Sequence, residues 1–413
     1  MKTVIPANDF KILANPLPVR SEPYARAGRS EILSLAKLVE AEAEITSWPG
    51  YRPTPLVRLD GIADAAAVQA ILYKDEGSRF GLGSFKALGG AYAVFSLLQG
   101  IVAEEIGRKV DVHELIDGSF RNLTEKVTVT CATDGNHGRS VAWGAQMFGC
   151  RCVIYVHEHV SLARQKAIAA YGAEVRVHPG NYDEAVRQAA ADAAQNQWIT
   201  VSDTSYEGYT VIPRDVMQGY GVALAESFAQ MTPAERPTHV FMQAGVGGVA
   251  ASFCSYLWER FGEEAPRFIV VEPERADCVY RTLEQGSPCH VKGELDTIMA
   301  GLACGEVSII AWEILKTGMD AVMTITDQSA RDAMCLLADA KFGDTPVVAG
   351  ESAVAGLAGF LLAAQQPDSR KALGLDEKSV IYVFGTEGAT DPYLYEEIVG
   401  RPAEVVAQPE VTA

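Results

Sequence analysis

Two rhythms of apolar and polar positions alternate through the middle of the chain. Short β-branched runs at 127–131, 152–156, 174–177 and 198–201 each fit a buried strand. Between them, 138–148, 161–171 and 182–194 are helix-like, with Ser161 where a helix cap belongs. Strands alternating with helices of that length predict βαβ units and a parallel sheet. The alternation resumes with a helix over 216–229, strands over 238–242, 268–271, 321–325 and 380–384, and helices that include 329–340 and 352–365. The start is less regular. Residues up to about Leu59 read as an irregular arm with one helix over 32–43, and Pro53-Thr54-Pro55 forces an extended segment. A strand over 68–73 delivers the chain to a glycine-rich stretch, and 104–122 reads as helix and loop. The tail from Arg401, rich in proline, alanine and glutamate, is expected to fray. The pattern predicts an α/β protein of two open α/β domains with mainly parallel sheets, the smaller inserted within the larger. Residues 1–88 and 214–413 form the expected large domain and 89–213 the small one.

Composition narrows the function classes. At 413 residues the chain is too long for one simple core. With 48% hydrophobic and 21% charged residues it has a globular composition. A formal net charge of −18 argues against nucleic acid and against an anionic membrane surface. No continuous apolar region marks the first ten residues as a secretory signal, and no segment is expected to span a bilayer. The eight cysteines are scattered, with one C-x-C at Cys150 and Cys152 and no zinc-type spacing. The expectation is therefore buried, reduced cysteines in a cytoplasmic protein, and no metal site.

Four segments carry candidate chemistry. The first is 78–92, SRFGLGSFKALGGAY, with Ser84 placed to cap a helix and Lys86 in its first turn. A cation is out of place at a positive helix end, which favours the neutral amine. Such a lysine is a candidate nucleophile for a carbonyl, or a Schiff-base partner for pyridoxal phosphate; the plain alternative is a surface lysine. The second is 130–138, TCATDGNHG, a strand-to-helix turn suited to an anion. There Asp134 reads equally as an N-cap or a catalytic acid, and His137 as a turn residue. The third is 243–250, QAGVGGVA, whose successive glycine N–H groups suit a phosphate. It lacks the Gly-Lys-Ser/Thr of a P-loop, but its G-x-G-x-x-A spacing, with Glu272 ending the next strand, also suits a dinucleotide. The fourth is 384–391, FGTEGATD, where Thr386 presents a hydroxyl to a ring nitrogen or to its own backbone. Asp203, after the last strand of the inner domain, is a further candidate carboxylate.

Taken in order, 78–92, ATDGNHGR at 132–139, YEGY at 206–209, AGVGG at 244–248 and TEG at 386–388 resemble the pyridoxal-phosphate enzymes of fold type II, the tryptophan-synthase-β type. Within these the likeness is to the diaminopropionate ammonia-lyases. The resemblance implies pyridoxal 5′-phosphate as cofactor, with Lys86 as its Schiff-base lysine and Phe85 beside it. It implies Gly245, Val246, Gly247, Gly248 and Val249 around the phosphate, Asn136 on the phenolic oxygen and Thr386 on the ring nitrogen. Thr133, Asp134, Gly135, His137 and Tyr209 would bind substrate, and Asp134 and Asp203 would join Lys86 as catalytic residues. Most relatives that deaminate serine or threonine carry a hydroxyl residue where Asp134 stands, so this carboxylate points to diaminopropionate. The implied reaction is α,β-elimination of the D or L amino acid to pyruvate and two ammonia. A serine, threonine or hydroxyaspartate dehydratase is the nearest alternative, and a nicotinamide-dependent oxidoreductase using Glu272 the more remote one. By analogy a homodimer acting on a small amino acid is expected.

Overall fold

Apolar runs of five to seven residues become strands because covered parallel sheets bury both faces of each strand. The structure, a computed structural model, describes residues 3–133, 135–180, 182–293 and 295–408. Its strands are β1 (Phe10–Ala14), β2 (Leu56–Arg58), β3 (Ala70–Asp75), β4 (Thr128–Ala132), β5 (Arg151–His157), β6 (Glu174–His178), β7 (Ile199–Thr200), β8 (His239–Gln243), β9 (Arg267–Pro273), β10 (Ala321–Ile325) and β11 (Val380–Gly385). A seven-stranded sheet has the order β1-β10-β9-β8-β11-β3-β2, and a four-stranded sheet the order β6-β5-β4-β7. The four-stranded sheet is parallel throughout. In the larger one the strands from β10 to β3 run parallel, and both edges are antiparallel. β8, β10 and β11 are buried along their whole length. The helix Ala355–Gln365 packs its leucines into the core of the larger sheet, with Phe241, Ile269 and Met323 among its neighbours there.

Both edge strands lie in what reads, from pattern alone, as an irregular arm. β1 pairs with β10, Phe10 opposite Ile325, and β2 pairs with β3. Short edge strands with one solvent side lack the apolar run that marks a central strand. The arm between them is also held. Arg20 pairs with Asp320 at 2.8 Å, and the Arg29 guanidinium lies 4.4 Å from the Trp258 ring centre. At the other end the tail does not simply fray. Arg401 donates to the Ala338 carbonyl at 2.6 Å, and the helix Ala403–Ala407 buries Val406.

The chain divides into two compact units: Met1–Leu35, Pro53–Ser84 and Ala223–Ala413, and Ala36–Arg52 with Phe85–Val222. These boundaries differ from 1–88, 89–213 and 214–413 chiefly in the placement of Ala36–Arg52. The reason is Trp48. It is 2% exposed, and its ring meets those of Phe95, Trp143 and Phe148 at 6.4, 5.9 and 5.6 Å. All three partners belong to the smaller unit. The helix Lys86–Ile106 in that unit corrects a second expectation: by length and composition it is apolar enough to cross a membrane. It is a core helix here, with Leu88, Ala91, Phe95 and Leu98 buried.

Candidate active site

The lysine of the glycine-rich stretch opens the helix Lys86–Ile106. Ser84 is not its cap. Phe85 holds the cap position with helical backbone and no capping side chain, while Ser84 bridges to Glu387 in the larger unit. Lys86 Nζ lies 2.6 Å from Asp203 Oδ2, with the two side chains only 19% and 20% exposed. Burial alone would raise the Asp203 pKa. The Lys86 charge, then the nearby His137 and the Lys86 hydrogen bond, outweigh it and hold the carboxyl well below the usual range. The carboxylate is therefore an anion at neutral pH. Phe85 stacks obliquely on Tyr220, ring centres 4.7 Å apart, and Lys86 Nζ stands 5.4 Å from the Phe85 ring.

His137 joins this group. Its Nε2 lies 2.8 Å from the Val201 carbonyl, which can only accept, so Nε2 carries the proton. Its Nδ1 then faces Asp203 Oδ2 at 3.9 Å. Burial lowers the His137 pKa, with the Asp203 charge opposing and the Lys86 charge assisting. The ring is thus a neutral imidazole and more than a turn residue. In the same loop Thr133 Oγ1 accepts from the N–H groups of Gly135 and Gly138, at 3.0 and 3.1 Å. Those two donors are spent on Thr133, which keeps its own hydroxyl hydrogen to donate. Gly135, at φ +154°, adopts backbone that a side chain would strain. Asn136 is the first residue of the helix Asn136–Phe148. Asp134 lies outside the described residues. Tyr209 holds the Asp203 loop: its hydroxyl accepts from Ser202 N at 3.0 Å and donates to the Thr200 carbonyl at 2.8 Å. The structure thus gathers Lys86, Phe85, His137 and Asp203, with Tyr209 bracing the last.

The remaining candidates sit in the larger unit, at the carboxyl ends of β8 and β11, where open α/β sheets bind ligands. After β8 the chain turns through Gly245, Val246 and Gly247 into the helix Gly248–Phe261. Gly247 has φ +90°, and a Cβ on Gly245 would stand 2.9 Å from Cys304 Sγ. No side chain caps this helix and no acid stands in its first turn. Its leading N–H groups, from Gly248 and Val249 onward, have no intrahelical partner and suit a phosphate. Thr386, after β11, is 5% exposed and lies 3.3 Å from the Gln243 amide nitrogen.

Glu272 rules against the nicotinamide alternative. It is fully buried, and its two oxygens accept from the N–H groups of Val279 and Tyr280, both at 2.8 Å. It anchors the start of the helix Cys278–Gln285 and presents no exposed oxygen to a ribose. Burial pushes its pKa up to about 8, which the two N–H bonds only partly offset.

Pattern reading missed a buried network next to the lysine loop. Lys74 pairs with Glu226 at 2.9 Å, and Arg79 with Glu76 and Glu226 at 2.8 and 2.6 Å. Thr54 Oγ1 donates to Glu76 at 2.6 Å. The signal was present in outline: charges at 74, 76 and 79 directly follow an apolar strand, but they resemble an ordinary solvated strand end.

Comparison with known proteins fits this geometry. The family model described as "Pyridoxal-phosphate dependent enzyme" matches residues 47–384. A diaminopropionate ammonia-lyase of Escherichia coli K12 is 41% identical over 364 residues, 87% of this chain and 90% of the relative. The crystal structure of the holo diaminopropionate ammonia-lyase from Escherichia coli aligns with TM-score 0.86 and 37% identity, covering 96% of this chain and 97% of that one. The same enzyme in complex with D-serine aligns with TM-score 0.85 and 36% identity, covering 96% and 98%. A glycine-rich turn before an uncapped helix end and a nearly buried lysine beside a carboxylate are chemistry that suits such a cofactor. On both the match over 47–384 and the local chemistry, the chain belongs to the family of pyridoxal-phosphate dependent enzymes.

Proposed function

We propose that the protein eliminates ammonia from 2,3-diaminopropionate, in D form, L form or both. With one water consumed, the products are pyruvate and two ammonia. The observation that carries the reading is the ionised Asp203 held 2.6 Å from Lys86, in a chain 41% identical to a diaminopropionate ammonia-lyase. Pyridoxal phosphate, when bound, supplies the electron sink that makes the substrate Cα proton removable. Lys86 is the residue that carries the cofactor and moves that proton at Nζ. Gly245, Val246, Gly247, Gly248 and Val249 hold the phosphate through backbone N–H groups. Asn136 binds the phenolic oxygen, Phe85 flanks the ring and Thr386 meets its nitrogen. Thr133, Gly135, His137 and Tyr209 form or brace the loops that take the substrate carboxylate.

The β-amino group must be protonated to leave as ammonia. The anionic Asp203 favours an ammonium nearby, which a hydroxy amino acid does not need. Enantiomers present their Cα protons on opposite faces, so Lys86 and an aspartate divide that work; Asp134 is assigned this second base. The reading carries a homodimer with a small amino-acid substrate, without nucleic acid or membrane. The eight scattered cysteines and the net charge of −18 suit the cytoplasm.

The test is turnover of D- and L-diaminopropionate against D- and L-serine, counting ammonia per pyruvate. Diaminopropionate should react faster and release two ammonia, where serine releases one. Turnover of serine alone would replace the reading with a hydroxy-amino-acid dehydratase. An Asp134→Asn variant that loses neither enantiomer would remove the base assignment.

A further inference from the structure

Gln243 is the last residue of β8 and is fully buried. Its Nε2 lies 2.6 Å from the Phe384 carbonyl oxygen, 3.3 Å from that of Ala353 and 3.3 Å from Thr386 Oγ1. Two of these neighbours are carbonyls, which only accept. The amide must therefore turn its NH2 to this side, and the network itself fixes which end is nitrogen. An amide nitrogen cannot accept, and its two hydrogens serve three acceptors: one goes to Phe384 at 2.6 Å, and the other is shared between the Ala353 carbonyl and Thr386 Oγ1, both at 3.3 Å, so at Thr386 the hydroxyl oxygen is the receiver. A hydroxyl whose oxygen receives from Gln243 still has its one hydrogen to give.

The surroundings keep this direction. Gln243 Oε1 has no hydrogen-bond partner among the described residues, and a Cβ on Gly356 would stand 3.0 Å from it. Turning the amide over would place that oxygen against two carbonyls. Glu387, adjacent to Thr386, is engaged elsewhere: its carboxylate accepts from Ser352 N at 3.3 Å and from Thr390 Oγ1 at 3.0 Å. The side chain set against the Thr386 hydroxyl is thus a neutral donor and not a carboxylate.

We propose that Gln243 is a positioning residue that sets the direction of the hydrogen bond at the cofactor's ring nitrogen. By donating to Thr386 Oγ1 it makes the Thr386 hydroxyl a donor, so the nitrogen receives a hydrogen bond and remains unprotonated. The inference rests on the reading that Thr386 meets that nitrogen. An unprotonated ring is the weaker electron sink, which suits prompt loss of a β-substituent over transamination.

The experiment loads the protein with pyridoxal phosphate labelled with 15N in the ring and records the nitrogen resonance by NMR. Wild-type protein should show the shift of a hydrogen-bonded, unprotonated pyridine. Gln243→Glu replaces the donor by an acceptor of the same size. Buried against the Phe384 and Ala353 carbonyls, the new carboxyl keeps its one hydrogen for them; the Thr386 hydrogen then goes to a carboxyl oxygen, and the Thr386 oxygen faces the ring. The resonance should move toward that of a pyridinium, with a change in the visible absorption band. Gln243→Met, which removes the donor without adding charge, should move it part of the way. A pyridinium in wild type overturns the inference, as does one unchanged resonance across all three proteins. If Gln243→Glu does not fold, wild type and Gln243→Met decide. A wild-type protein that takes up no cofactor and shows no yellow band would instead sink the reading beneath, a result plainly different from a loaded protein with a protonated nitrogen.

Discussion

Lys74, Glu76, Arg79 and Glu226 place two positive and two negative charges where almost no water reaches. Charges are costly to bury singly, and here each meets an opposite. Glu226 serves both cations: it accepts from Lys74 Nζ at 2.9 Å and from both terminal nitrogens of Arg79 at 2.6 and 2.7 Å. Burial would raise its pKa, but the Arg79 bonds and charge, then Lys74, carry it below the ordinary value. A glutamate lowered in this way stabilises the fold above the unfolded pKa, and loses that contribution as pH falls through the lowered one. Glu226→Gln leaves one buried positive charge uncompensated and should cost about 3–5 kcal/mol in urea unfolding at neutral pH. Its deficit relative to wild type should shrink as the pH is brought below 4.5, the ordinary glutamate value. The charges at 74, 76 and 79 were in view beforehand, but their shared partner was not, because Glu226 is 147 positions from Arg79. Lys86 is similar. Its place at a helix start was readable from its neighbours, and Asp203 stood among the candidate carboxylates, but their direct pairing across 117 positions was not readable.

Among the elements, the central strands were legible because burial on both faces leaves only apolar residues along them, as in HVFMQ of β8 and AVMTI of β10. The glycine turn that ends β8 was legible as a strand-to-helix turn, because successive glycines interrupt the apolar run. Gly247 tests it. At φ +90°, a Cβ would also stand 3.2 Å from Leu315 Cδ1. Gly247→Ala should cost roughly 1–2 kcal/mol of stability from backbone conformation. More tellingly, it should weaken pyridoxal phosphate binding, read by fluorescence titration, because the strained turn re-aims the N–H groups that follow it. An unchanged dissociation constant would remove the helix Gly248–Phe261 from the cofactor's phosphate site. The edge strands and the final helix were not legible. Their pairing with β10 and β3 is what makes them elements, and a three-residue run such as Leu56–Arg58 carries no periodicity of its own.

For the whole molecule, the inserted arrangement was readable as two blocks of βα alternation, but the ownership of Ala36–Arg52 was not. That segment belongs with the smaller unit through one buried tryptophan whose partners lie about 50 to 100 residues further on. Trp48→Ala should destabilise that unit by about 3–5 kcal/mol, as loss of a buried large aromatic does. Denaturant unfolding followed by circular dichroism measures it, and a loss under 1 kcal/mol would mean that the segment is only draped on the unit. The strand order holds a last consequence, for synthesis on the ribosome. β11 is the last strand made, yet it sits between β8 and β3. Until residue 385 emerges, the larger sheet exists as two unjoined halves, β2 with β3 and β8 with β9, β10 and β1. Every residue of the smaller unit has been translated by Val222. The smaller unit is thus free to fold during translation, whereas the larger one closes only at the end. The keystone strand leads straight into Thr386, so the nascent chain cannot set that hydroxyl against Gln243 before its main sheet is whole.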